Sequence, residues 1–237
     1  MDHPEESKRA PLAAEPSARF PGACVDCPAA RVGCFGTAVG STTTPCRFLK
    51  ATVHARAPIP AAWSEDYALL LVRRGVVVRT RAPKEGPSVA IDCAGAGSVL
   101  PLASGALEIG YAATDVLVCL HPRVGLSEAL AREADTAHDM IVALAAALER
   151  VERLAEARGQ STVDERVARV LAVVAATLTP PERRDRFPSG LPQRDLARLA
   201  GVRHESFCRS LGKLERAGHI RREPDGLVIT DHDALAQ

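Results

Sequence analysis

The sequence predicts an α+β chain: a small β-sandwich or barrel, then one long helix, then a compact helical module closed by a hairpin. Three observations carry this prediction. Short apolar runs of strand character recur between Ala51 and Leu120, broken by glycines and a Pro-bounded turn. An apolar stripe of 3.5-residue period runs from Ala137 to Ala155. Beyond it, two amphipathic segments flank Gly201, and alternating residues then surround Asp225-Gly226.

Composition narrows what such a chain can do. The 237 residues are 46% hydrophobic but only 3% aromatic, so aliphatic side chains and alanine must fill the cores. No run approaches the roughly 20 apolar residues that cross a bilayer, and MDHPEESKRAP at the N-terminus has no signal-peptide core. A cytoplasmic location without a membrane partner is therefore expected. In that compartment seven cysteines, an odd number, point to metal binding or redox chemistry rather than to a disulfide framework. The net charge is only +1, yet Glu182 to Arg222 holds eleven Lys/Arg against five Asp/Glu. A basic module on a mildly acidic body is the electrostatic outline of a nucleic-acid binder.

Taken in order, residues 1–20 are polar and proline-rich, with too little apolar surface to order a chain. From Ala23 to Cys46 no helical or strand period appears. That stretch is rich in Cys, Gly, Thr and Pro, as in a loop wrapped on a metal, and it holds Cys24, Cys27 and Cys34. Strands are expected at 68–72, 76–80, 88–92 and 115–120, with turns at Arg73-Arg74-Gly75 and at 83–87. A helix is expected from Ser127 to Arg158, ended by Gly159. Its stripe of Ala137, Ile141, Leu144, Leu148, Val151 and Ala155 steps alternately by four and three. The stripe either packs on the chain's own barrel or forms a coiled coil with a second copy, and its length and strict period favour the homodimer. Thr162-Val163-Asp164-Glu165 has the form of a capping box opening a helix to Leu178, which Pro180-Pro181 stops.

Residues 191–217 read as helix, tight turn, helix. Ala197 allows close approach, Gly201 makes the turn, and Leu196, Val202, Phe207, Leu211 and Leu214 supply a shared core. His204, Glu205, Cys208 and Arg209 are left on the other face. IRREPDGLVIT (220–230) alternates as a hairpin wing would. A helix pair with a wing places its second helix in the major groove of double-stranded DNA.

With these residues in view, the order of elements resembles the CRP/FNR family of bacterial transcription regulators. The run Gly201-Val202-Arg203-His204-Glu205-Ser206-Phe207-Cys208-Arg209 is similar to that family's recognition helix, where Glu and Arg four residues apart read base edges. Chemically, Arg can donate two bonds to guanine, and Glu can accept one from cytosine. FNR members carry Ser where this chain has Cys208, and His204 matches neither branch of the family. The half-site is thus left open beyond a TGA-like core. The resemblance implies a cyclic-nucleotide-binding-like barrel of jelly-roll type (23–125, with the cysteine-rich segment), after a disordered N-terminus (1–22). It further implies a dimerisation helix (126–160) and a winged helix-turn-helix DNA-binding domain (161–237). DNA, a second copy of the chain and RNA polymerase are the implied partners.

The resemblance also gives the cysteines a role. Cys24-x2-Cys27-x6-Cys34 resembles FNR's N-terminal triad with one extra residue in its second gap, and Cys119 occupies the place of FNR's fourth ligand. A [4Fe–4S] cluster takes four thiolates, so the resemblance implies such a cofactor, sensing oxygen, nitric oxide or redox state. In the family reading, attack on the cluster frees the N-terminal loop, weakens the dimer helix and lowers DNA affinity. Val151 stands in the seam where the family alignment has an acidic residue, which implies a dimer that persists and switches by reorienting its helices. Cys46 or Cys93 as fourth ligand stays open. So do a zinc site of Cys24, Cys27, Cys34 and Cys46, and haem or a small ligand in the barrel. The stretch 95–114 contains no arginine to meet a cyclic phosphate, so cAMP is not expected. No phosphate loop, HExxH or nucleophile elbow is present, so no enzyme is expected.

Overall fold

A computed structural model describes residues 49–237, apart from 83, 105–108, 133, 179–186, 188–190, 224–225 and 237. Cys24, Cys27, Cys34 and Cys46, and the disorder expected over residues 1–22, lie outside the described residues.

Strands β1 (Leu49–Val53), β2 (Tyr67–Arg74), β3 (Val77–Arg81), β4 (Val89–Ala94), β5 (Val99–Pro101), β6 (Gly110–Ala112) and β7 (Val116–Pro122) form two antiparallel sheets. One has the order β1-β7-β2-β5 and the other β4-β3-β6. A short helix α1 (Trp63–Asp66) precedes β2. The run 68–72 lies within β2, and the other three each begin one residue before β3, β4 and β7, while β1, β5, β6 and α1 have no counterpart in the predicted runs. Three residues of β5 or β6 are too few to show a period. Gly75 turns β2 into β3 at φ +83°, and a Cβ there would come within 2.2 Å of the Asp115 carbonyl, so only glycine fits.

Alternation along the strands sorts the side chains between two apolar layers. Leu70, Val72, Val116, Val118 and Leu120 point into the space between the sheets, where Val77, Leu100 and Ala112 meet them. The opposite face of the first sheet, with Leu69, Leu71, Val99 and Cys119, is also buried, against Met140 and Ala143. The second sheet buries its outer residues Val78, Ala90 and Cys93 against the C-terminal helices. Burial on both faces explains why ALLLV and VVVR read as unbroken apolar runs rather than as alternating ones.

The long helix is expected from Ser127, and the structure has α2 (Leu126–Arg132) followed by α3 (Ala134–Arg158). The side of α3 that packs on the rest of the chain is Met140, Ala143, Ala147, Leu154 and Ala157. The predicted stripe lies beside this line: Ile141 is 67% exposed and Leu148 59%. Leu144 and Val151 are half-buried, and Ala155 is exposed. Of the stripe, Leu144 also packs against the barrel layer, whereas Ile141 and Leu148 face away from it.

One buried ion pair locks α3 to the barrel. Asp92 on β4 is fully buried, and both its carboxylate oxygens accept hydrogen bonds from Arg150, at 2.7 and 2.9 Å. Arg79 stands 3.7 Å from the same carboxylate. Burial opposes the Arg150 charge, but hydrogen bonding to Asp92 and its negative charge outweigh this and raise the Arg150 pKa. Removing Arg150 takes both hydrogen bonds from a buried carboxylate and leaves it with the longer Arg79 contact alone. Arg150→Met should therefore lower unfolding stability in urea by about 3 kcal/mol. Arg153→Ala, which breaks an exposed pair with Glu149, should cost no more than about 0.5 kcal/mol.

Candidate functional site

The C-terminal module opens with α4 (Val163–Leu178), whose start is the predicted capping box. The Thr162 amide donates to Glu165 Oε2 at 3.1 Å, and the Glu165 amide donates to Thr162 Oγ1 at 3.2 Å. Val167, Val170, Leu171 and Val174 bury one face of α4 under the two helices that follow, α5 (Gln193–Ala200) and α6 (His204–Arg216).

Gly201 ends α5 in the left-handed region, at φ 64°, where a β-carbon would be strained. The Gly201 and Val202 amides cap the Arg198 and Ala197 carbonyls. This turn sets α6 across α5, with Leu196, Leu199, Phe207 and Leu211 sealed between them. The predicted core residues Val202 and Leu214 pack at its edge. Strands β8 (Ile220–Glu223) and β9 (Gly226–Ile229) form the hairpin, and α7 (His232–Ala236) closes the chain. The hairpin joins α6 through Glu215, which accepts from the Arg222 amide and meets its guanidinium at 3.3 Å.

Once Phe207, Ser210 and Leu211 face inward, geometry fixes the outward side of α6. Arg203, His204, Glu205 and Arg209 are exposed, and Cys208 is half-buried. Glu205 and Arg209 share one face at helical spacing, so the predicted reading residues are brought together on one surface. The Cys208 thiol lies 3.6 Å from His204 Nε2 and 3.7 Å from Gln193 Oε1. This groups it with the same surface.

Several polar contacts that hold this surface were not seen in the sequence. Asp164 of α4 accepts from Ser210 Oγ at 2.5 Å and from Lys213 Nζ at 2.6 Å, pinning α6 from behind. The hydrogen bond from Lys213, then that from Ser210, holds the Asp164 carboxyl below its usual range. The Tyr111 hydroxyl of β6 donates to buried Asp195 of α5 at 2.9 Å, joining barrel and module. Arg158, at the end of α3, donates to the Leu199 carbonyl at 2.6 Å. Each pairs residues at least 41 positions apart, a separation at which sequence spacing gives no signal.

Of the predicted sulfur ligands, only Cys119 is described. It lies on β7 opposite Lys50 and Leu71, is 3% exposed, and faces the α3 side with Met140 and Ala143. A group bound there would press directly on the long helix. Cys93 sits in the other apolar layer, beside Arg150 and Arg158, and burial pushes its thiol up to about 12. Among the described residues no three His, Cys, Asp or Glu side chains converge as a metal site. The described part thus supplies one buried thiol packed against α3, and the other three expected ligands lie outside the described residues. Also among the described residues, no helix is long and apolar enough to cross a membrane.

Residues 165–237 match the family model of the Crp-like helix-turn-helix domain. No curated protein matches the chain in sequence. Among solved structures, FixK2 from Bradyrhizobium japonicum is similar over 80% of this chain and 96% of its own, at TM-score 0.66 and 21% identity. A CooA mutant from Carboxydothermus hydrogenoformans aligns over 80% of this chain and 87% of its own, with TM-score 0.62 and 16% identity. A CRP-family transcriptional regulator from Thermus thermophilus, TTHB099, covers 78% of this chain and 93% of its own, at TM-score 0.56 and 20% identity. At these identities the likeness is one of fold.

The Asp164 contacts make a pH-dependent contribution. Its folded pKa is depressed, so the stabilisation is full above the ordinary value of 3.8 and is lost as pH falls through the lowered one. Thermal unfolding of wild type and Asp164→Asn should differ most near neutrality. The difference should shrink on acidification below about pH 4.

Proposed function

We propose that the chain is a CRP/FNR-type DNA-binding regulator rather than an enzyme, a reading supported by the Crp-like helix-turn-helix match over residues 165–237 and by the fold. It acts as a homodimer whose two α6 helices read a palindromic promoter site, under the control of a cysteine-held [4Fe–4S] cluster that responds to oxygen, nitric oxide or redox state. At a promoter it works through RNA polymerase.

The observation that carries this reading is the α6 surface. Glu205 and Arg209 project together from a helix whose other side is locked by Phe207, Leu211 and the Asp164 contacts. A rigid helix presenting one acceptor and one bidentate donor is what base-edge recognition requires. Arg203, His204 and Cys208 flank that pair. The dimer is supported by Ile141 and Leu148, which are exposed on a stripe continuous with Leu144, Val151 and Ala155. Large aliphatic side chains at a/d spacing, left in water by their own chain, fit a second copy of the same helix.

Cys24, Cys27, Cys34 and Cys119 would hold the cluster. When bound, such a cluster supplies an iron–sulfide centre that oxygen or nitric oxide can alter. This chain's own contribution is mechanical. Cys119 sits where β7 meets α3, so loss of a ligand there changes the packing of Met140 and Ala143 and hence the placing of the seam.

Selection from a randomised duplex pool should return a two-fold symmetric site with half-sites about one helical turn apart. Arg209→Ala should cost about 1–3 kcal/mol and relax one base position in each half-site. The pair of changes Ile141→Asp and Leu148→Asp should give a monomer on size exclusion and abolish the symmetric site. A wild-type dimer that becomes monomeric in air would overturn the view that Val151 keeps the chain dimeric and that switching is by reorientation.

Anaerobically purified protein should be straw-brown, with broad absorption near roughly 400 nm and matched iron and sulfide. Cys119→Ala should lose both. Colourless protein with stoichiometric zinc, or a sharp Soret band from haem, would overturn the cluster assignment.

A further inference from the structure

A cleft of about 480 Å³ opens where the loop after β1 faces α5. Arg56 enters it from the barrel, and Arg194 and Arg198 enter from the DNA-binding module. Pro58, Pro60 and Tyr111 supply its apolar walls. Among the described residues lining it there is no carboxylate. The neighbouring acid, Asp195, is buried; it is committed to the Tyr111 hydroxyl and stands 4.0 Å from the Arg194 guanidinium. Three exposed arginines thus line one cleft, with one neighbouring carboxylate.

Two further features mark this cleft. Among the described residues Arg56 is the one non-glycine with a positive φ, 71°, a strained backbone state that clusters at ligand sites. The Arg198 guanidinium lies 5.7 Å over the Tyr111 ring, on the barrel side of α5 rather than on the exposed face of α6. An arginine stacked on a ring, with two more lining the same cleft, suits bidentate bonding to a small oxyanion.

We propose that this cleft is an effector site for a small organic anion bearing a phosphate or carboxylate group. The anion bridges Arg56 to Arg194 and Arg198, and so holds the DNA-binding module against the barrel. Because the site exists only while the two parts are docked, its ligand shifts the population toward the docked arrangement and changes DNA affinity in the same proportion. Only that last consequence rests on the DNA-binding reading.

The test is calorimetric titration of the full chain, without DNA and at low ionic strength, with inorganic phosphate and separately with citrate. At least one should bind saturably at one site per chain, and which one does identifies the oxyanion. Arg56→Gly accepts the same φ without strain, and it should weaken that binding roughly tenfold, as should Arg198→Gln. Arg153→Gln, outside the cleft, should not alter it. Absence of saturable binding by either anion overturns the site, as does an Arg56→Gly variant that binds as tightly as wild type. If neither anion binds but Arg56→Gly weakens duplex DNA binding with a shallower salt dependence, the cleft is a DNA-backbone contact and the proposal falls. Since the titration contains no DNA, failure of the gene-control reading would leave anion binding intact, and the reverse also holds.

Discussion

Both sheets of the barrel are apolar on their outer as well as their inner faces, and the placing of every long helix follows from covering them. The outer face of the β1-β7-β2-β5 sheet takes the first half of α3, and that of the β4-β3-β6 sheet takes the C-terminal helices. With aromatics nearly absent, this cover is made from Leu, Val and Ala. Ala143, Ala147 and Ala157 bring α3 close to its neighbours. Close approach leaves little slack along this contact.

Apolar cover alone does not set direction or register, because it is not directional. Three polar links do so. Arg150 on Asp92 fixes the turn of α3 against β4, Arg158 on the Leu199 carbonyl fixes the end of α3 against α5, and Tyr111 on Asp195 fixes α5 against β6. Together they place the DNA-binding module relative to the barrel. They also leave α6 facing outward and the Ile141–Leu148 side of α3 uncovered. The surface proposed to read DNA and the surface proposed to pair helices are thus both what remains after the inner contacts are made. The arginine-lined cleft beside Tyr111 belongs to the same junction.

The legible parts of the sequence were those carried by local pattern. The runs at 68–72, 76–80, 88–92 and 115–120, the capping box at Thr162, the turn at Gly201 and the core of Phe207 and Leu211 are each set by residues within one turn or one strand of each other. The Glu205–Arg209 spacing was legible for the same reason. Strands β5 and β6 were not, since three residues carry no period. Nor was the split of α3 into a packing side and an exposed side one residue apart. Two adjacent apolar lines on one helix cannot be told apart until the partner of one is known.

By itself, the sequence determined the kinds of element, their order and the reading face of α6, because helical and strand periods are local properties of the chain. Only the tertiary structure decided that Asp92 meets Arg150, that Tyr111 meets Asp195, and that Arg56 and Arg198 line one cleft. Those pairs are 58, 84 and 142 residues apart along the chain. Their partners are chosen by how two apolar layers stack, a choice that no local period encodes.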